Sequence, residues 1–233
     1  MCGRTRLVTD YSEIKIALKL DDSGSNPNIK RSWNVAPTDE MLVVRFEPGR
    51  GRISEKMKWG LIPAWSKEPK MSGNTINARA ETVDTAPAFR DAWRKRQRCL
   101  VVTDGFYEWR KKDKQPFAIA RAKNQMTIMA GLWEEWRAKD GSGEIVRSCT
   151  VITTSANELI GELHDRMPVI LAEADWPAWL GEVPATDADL KALLKPFPSE
   201  EMELWPIDKR VGNWRNNDED LLNPVRIDDP GFV

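Results

Sequence analysis

The chain is poor in the residues that most often announce a chemistry. It has one histidine, His164, and three widely separated cysteines, Cys2, Cys99 and Cys149, among 233 residues. Cysteines spaced in this way make neither a disulfide framework nor a zinc site, and they predict a reducing, intracellular (cytoplasmic) setting. No stretch approaches the ~20 consecutive apolar residues that a membrane-spanning helix needs. The charged start, with Arg4 and Arg6, has no apolar signal-peptide core behind it. No phosphate-cradling glycine loop, metal-ligand cluster or nucleophile elbow is present. Nucleotide hydrolysis and metal catalysis therefore find no support, and neither a metal nor a cofactor is expected. Repeats and long linkers are absent too.

What the chain does have is a core's worth of apolar material, 41% hydrophobic residues, and eleven tryptophans against two tyrosines. Its length suits one compact domain, expected over residues 1–233. The net charge of −1 is neutral on partners, but its distribution is not. Residues 1–125 carry 25 Lys/Arg against 15 Asp/Glu, and residues 126–233 carry 10 against 21. Such asymmetry fits a surface with one side attractive to a polyanion. Two solvated faces of opposite sign explain it equally well. Most of the tryptophans belong in a core, and an exposed minority would serve as stacking surfaces.

Local patterns predict many short strands with helices between them. In "DYSEIKIALKL", Asp10 and Glu13 precede Ile14 and Leu18 at helical spacing, which reads as a capped helix. "DDSGSNPN" is a polar loop. "MLVVRF", "EPGRG" and "RISEKMKWG" read as strand, turn and strand. Residues 86–97 read as a helix whose Arg90, Arg94 and Arg98 form a basic stripe. "CLVVTDGFYEW" reads as two strands about an Asp-Gly turn, and "PFAIA", "MTIMAGLWEEW" and "IVRSCTVITT" as further strands, with "KDGSG" a hairpin turn. Helices are expected at 156–162, 174–180 and 186–195. With no βαβ rhythm, the fold class is α+β: a mostly antiparallel sheet or open barrel flanked by helices.

Four short stretches concentrate polar groups. The first is the N-terminal "MCGR". A small second residue favours removal of Met1, which leaves Cys2 with a free α-amine and a thiol two carbons apart, a pair no internal cysteine offers. A buried or frayed thiol is the simpler reading of position alone. In "INARAET", Asn77 and Arg79 alternate, so an extended segment turns them to one side, with Glu81 continuing the row. An ordinary solvated strand gives the same pattern. Glu108 sits in the aromatic run Phe106-Tyr107-Glu108-Trp109, where burial suits a carboxyl to proton transfer; a salt bridge to a lysine is the competing account. His164, in "LHDRMP", is the one side chain whose ordinary pKa lies near neutrality.

"MCGR", "WNVAPT" (33–38), "KWGLIPAW" (58–65), "NARAET" (77–82), "DGFYEW" (104–109), "VITTSAN" (151–157), "HDRMPVIL" (164–171) and "VGN" (211–213) occur in that order. Together they resemble the SRAP family, the SOS-response-associated peptidases, also described as abasic-site processing proteins. The motifs span residues 2–213, leaving 214–233 as a C-terminal tail. The resemblance implies binding of single-stranded DNA at an abasic site and covalent attachment through Cys2. It places the catalytic set on Cys2, Asn77, Glu108 and His164, and the DNA-facing surface on Arg4, Trp65, Arg79, Thr153 and Arg166. It also implies peptidase activity, in its narrowest form removal of Met1 by the protein itself.

The residues suit that chemistry. An abasic deoxyribose equilibrates with an open aldehyde, which an amine attacks. At pH 7.4 roughly a quarter of an α-amine is neutral, against about one lysine in a thousand. The neighbouring thiol then adds to the imine and closes a five-membered thiazolidine, removing the intermediate that drives strand cleavage. His164 and Glu108 would move protons at the sugar and at the amine, in either assignment, and Asn77 would orient the opened sugar. Three rival readings stand beside this one. An N-terminal-nucleophile amidohydrolase of the glutamine amidotransferase kind also begins Met-Cys-Gly, but its glutamine-recognition motifs are missing here. A cysteine peptidase built on Cys2 and His164 is the second. The third is a non-catalytic nucleic-acid module.

Overall fold

Two β-sheets meet near the start of the chain. The structure, a computed structural model, describes residues 2–21, 27–71 and 73–227. Met1 and residues 22–26 of the expected polar loop lie outside the described residues. The first sheet contains β1 (Thr5–Leu7), β2 (Ser32–Val35), β7 (Gly105–Trp109), β8 (Pro116–Arg121) and β12 (Met202–Pro206). Its order is β12-β8-β7-β1-β2, antiparallel throughout. The second sheet contains β3 (Glu40–Glu47), β4 (Gly51–Trp59), β5 (Asn77–Arg79), β6 (Arg98–Thr103), β9 (Thr127–Arg137), β10 (Ile145–Ser155) and β11 (Arg166–Pro168). Its order is β11-β10-β4-β3-β6-β9, and β9 pairs again with β10. That return closes β10, β4, β3, β6 and β9 into a five-stranded barrel. Two pairings are parallel, β10 with β4 and β10 with β5. The helices are short: α1 (Tyr11–Ala17), α2 (Arg90–Arg94), α3 (Glu158–Gly161), α4 (Trp176–Leu180) and α5 (Asp187–Ala192). The expected α+β class, mostly antiparallel with a barrel and flanking helices, is what the chain forms.

The closure explains why the strands read as unbroken apolar runs. On β3, Leu42 and Val44 join one buried cluster while Met41 and Val43 join another; on β6, Leu100 and Val102 separate in the same way from Cys99 and Val101. One cluster lies beneath the helices and the other is shared with the first sheet, so both faces of these strands are buried. Tryptophans fill the wide gaps. Trp59 and Trp179 are fully buried, and the rings of Trp93 and Trp179 pack at 6.2 Å between α2 and α4. Closure also requires Gly131 on β9, because a Cβ there would meet Val101 Cγ2 at 2.8 Å and the Thr150 carbonyl at 2.9 Å.

Several expectations are corrected. The basic stripe does not form: α2 ends at Arg94, Arg96 turns left-handed at φ 56°, and Arg98 opens β6. Arg98 is buried, donates to the Trp179 carbonyl and lies over the Trp179 ring at 5.8 Å, with burial drawing its pKa down to about 10. The two strands expected about Asp104-Gly105 form, and the turn carries the chain from one sheet to the other, since β6 and β7 belong to different sheets. Asp104 accepts from the Val8 and Thr9 amides at 2.6 and 2.9 Å, and a Cβ on Gly105 would lie 2.3 Å from the Ile119 carbonyl. Asp10 precedes α1 without capping it; its carboxylate pairs with Arg31 at 2.8 Å instead. Of the expected C-terminal tail, residues 228–233 lie outside the described residues, while the part before them is tied in: Leu221 is fully buried and the Trp205 indole donates to the Leu222 carbonyl at 2.8 Å.

Candidate functional site at the N-terminus

Cys2 lies at the seam of the two sheets. It is fully buried and packs with Val35, Phe106 and Met129. From the barrel side, β5 runs parallel to β10 and presents Asn77, whose Nδ2 donates to the Cys2 carbonyl at 2.8 Å. That bond fixes the orientation of the carboxamide. Asn77 Oδ1 is left buried with no hydrogen-bond partner among the described residues, turned away from the carbonyl it serves. From the other sheet, β7 carries Glu108, which is buried and accepts from the Trp109 amide at 3.2 Å. Burial first, and the Glu108 carboxylate second, raise the Cys2 thiol well above its ordinary pKa. The thiol is therefore protonated at neutral pH.

His164 sits between α3 and β11 and is mostly buried. Its Nδ1 accepts from the Arg166 amide at 3.0 Å, which leaves the proton of the neutral ring on Nε2. Asp165 Oδ1 lies 2.9 Å from the same Nδ1 and competes as a partner only when the ring is protonated. Asp165 is also held by Lys111 at 3.0 Å. Burial lowers the His164 pKa, and Glu108 acts in the opposite direction. Glu108 thus influences both the thiol and the imidazole, and the four residues expected to carry catalysis are drawn together from β5, β7, the α3–β11 turn and the N-terminus.

The residues expected to face DNA divide into two groups. Trp65 and Arg79 are exposed, the indole at 57%. Arg166 shares the neighbourhood of Glu81 with Arg79: its Nη2 donates to the Thr153 carbonyl at 2.6 Å, and its guanidinium forks onto both carboxylate oxygens of Glu81. Thr153, by contrast, is fully buried near the C-terminal end of β10, where β5 pairs on one edge and β11 on the other; its contribution is the carbonyl that steadies Arg166. Arg4 is committed to the protein as well. It donates to Asn34 Oδ1 at 2.7 Å and to the Val211 and Gly212 carbonyls at 3.0 Å each. Asn34 Nδ2 reaches the Val211, Asn213 and Asn216 carbonyls at 3.1, 3.1 and 2.8 Å. "MCGR", "WNVAPT" and "VGN" are therefore one clamp around the N-terminus. Sequence reasoning missed Asn34, Lys111 and Asp165; Asn34 and Asp165 lay in quoted motifs, and Lys111 follows Glu108 by three residues. Among the described residues no group of three or more His, Cys, Asp or Glu is gathered as a metal ion requires, and no helix is long and apolar enough to cross a membrane.

The fold is shared with a solved structure, a protein from Bacteroides thetaiotaomicron, at a TM-score of 0.83 and 24% identity over 97% of this chain and all of that one. The family model described as SOS response associated peptidase (SRAP) matches residues 1–214, and the chain belongs to that family. It is 36% identical to the abasic site processing protein YoqW of Bacillus subtilis (strain 168), over 95% of this chain and 99% of that protein. It is 31% identical to the abasic site processing protein HMCES of Xenopus tropicalis, over 97% of this chain and 78% of that protein.

Proposed function

We propose that this protein processes abasic sites in single-stranded DNA by joining Cys2 covalently to the sugar aldehyde. The family membership and the names of the relatives support the substrate. The observation that carries the mechanism is the burial of Cys2 against Asn77, with Glu108 acting on both its thiol and His164.

With Met1 removed, the α-amine of Cys2 attacks the aldehyde carbon and water leaves, giving an imine. The thiol sulfur then adds to the imine carbon, and the thiol proton is transferred to the nitrogen, closing the thiazolidine. A thiol whose pKa is raised by burial needs a base at that step, and Glu108 is the carboxylate whose charge it feels. His164, carrying its proton on Nε2, is the donor to the sugar ring oxygen that opens the hemiacetal. Asn77 Oδ1 accepts from an opened-sugar hydroxyl. Arg79 and Arg166 hold backbone phosphates, and Trp65 stacks on the base beside the lesion, where a nucleotide lacking its base is cheap to unstack. Removal of Met1 by the protein itself, and a strand-cleaving activity from an untrapped imine, belong to the same proposal.

The test is incubation of the purified protein with abasic and intact single strands, followed by a denaturing gel. A shifted band with the abasic strand alone supports the reading. Thiol-dependent glutamine hydrolysis without any shifted band would replace it with the amidohydrolase.

A further inference from the structure

Trp214 is 55% exposed, and the Arg215 guanidinium lies 4.7 Å from its ring centroid. An exposed indole is informative when something holds it in place. Here the backbone on both sides of Trp214 is pinned. Asn34 takes the Asn213 and Asn216 carbonyls, Arg4 takes Val211 and Gly212, Asn216 Nδ2 donates to the Arg210 carbonyl at 2.7 Å, and the Arg215 amide donates to Asn213 Oδ1 at 3.1 Å. The loop that presents Trp214 is thus fastened through Arg4, two residues from Cys2.

The other exposed indole, Trp65, is fastened elsewhere. The Trp65 loop is tied to the barrel by the Trp136 indole donating to the Ser66 carbonyl and the Ile62 amide donating to Ser148 Oγ, both at 2.8 Å. The two exposed indoles are thus fastened to different sheets, Trp65 to the barrel and Trp214 to the sheet that carries Asn34, and Cys2 lies at the seam where those sheets meet. Charge distinguishes the Trp214 loop as well. Arg210 is neutralised by Asp218 at 2.8 Å, whereas Arg215 has no carboxylate partner among the described residues.

We propose that Trp214 and Arg215 form a second stacking platform for the strand whose abasic site lies at Cys2. The platform takes a base on the flank opposite the one met by Trp65. The indole offers a π face to any base, and the guanidinium beside it pairs with the adjoining phosphate or closes over the base. This rests on the single-stranded DNA reading above and extends it to a second flank.

The experiment measures non-covalent binding of short single strands carrying a tetrahydrofuran abasic analogue, which has no aldehyde to capture. The strands are trimmed from either end. The wild type is expected to lose affinity when either flank is trimmed. Trp214→Ala should bind the full strand at least about fivefold more weakly and lose its sensitivity to one flank only, while Trp65→Ala loses sensitivity to the other. Trp214→Phe, which keeps an aromatic face, should restore most of the affinity. Wild-type affinity and sensitivity to both flanks in Trp214→Ala would overturn the proposal, as would equal loss in the Ala and Phe variants. Failure of the wild type to bind any single strand would overturn the DNA reading and this inference together, whereas failure confined to the variants leaves the DNA reading intact.

Discussion

The carboxamide of Asn77 holds the carbonyl of Cys2 at 2.8 Å across 75 residues of sequence. This single bond links the barrel to the N-terminal residue, and it sets where the amine and thiol of Cys2 stand relative to an incoming sugar. Asn77→Ala should slow adduct formation by about tenfold, the cost of losing one buried hydrogen bond and the positioning it provides. Noncovalent affinity for intact single strands should remain within about twofold, the scatter expected at a site making no phosphate contact. Measuring both on one preparation separates positioning from binding; unchanged rates would make the bond purely structural.

The Glu108 carboxylate favours the charged form of His164, and the chain's single histidine makes that influence measurable. Proton NMR of the untagged protein should show one imidazole titrating below the ordinary value of about 6.5, because burial disfavours its charged form. In Glu108→Gln the titration should move lower still, since the carboxylate that favours imidazolium is gone. A shift upward would contradict the arrangement. Adduct formation in the same variant should fall.

The sign for stability follows from the same depression. As pH falls below about 6.5, the unfolded chain takes up a proton at His164 before the folded one does. The His164 contribution is fully present above that pH and is lost as pH drops toward the folded value. His164→Gln should flatten this part of the stability profile in denaturant titrations; an unchanged slope would assign the pH dependence to other groups.

Glu81 occupies the guanidinium that is proposed to hold a phosphate. Glu81→Gln should release Arg166, raising affinity for single strands by up to about fivefold, the range of an exposed ion pair. Arg166→Ala should lower affinity and reduce the salt dependence by about one phosphate contact. Weaker binding in Glu81→Gln would show that the carboxylate orients Arg166 for DNA rather than competing with it.

Arg4 joins Asn34 to the 211–212 carbonyls, so its main effect should be on stability. Arg4→Ala should lower stability by about 1–3 kcal/mol, the range for hydrogen bonds from a charged donor, read as a fall of several degrees in Tm. An unchanged Tm together with weakened DNA binding would move Arg4 to the DNA surface.

The strands were legible because both faces of the barrel staves are buried, which leaves runs such as "MLVV" and "CLVV" with turn residues between them. Barrel closure was not, since it depends on β10 pairing with both β9 and the distant β4 and on the missing side chain at Gly131, both non-local facts. Arg98 continued a helical spacing and was misplaced for the same reason: the left-handed turn at Arg96 is invisible to periodicity. At the site, position alone left Cys2 open to reading as a plain buried thiol, and the motif resemblance singled it out together with its companions. What neither showed is that Thr153 is buried beneath its own strand neighbours, or that Arg4 faces Asn34. Those outcomes are decided by which sheet edges meet.

The central claim is that Cys2 captures the abasic aldehyde with both its amine and its thiol. It is tested most directly by mass spectrometry of the N-terminal peptide after exposure to abasic single-stranded DNA, with Cys2→Ser run in parallel. The account predicts a sugar-derived mass on Cys2 in the wild type. In Cys2→Ser it predicts a stable adduct only after borohydride reduction, together with persistent strand cleavage. An adduct on a lysine, or a stable adduct in Cys2→Ser without borohydride, would contradict it.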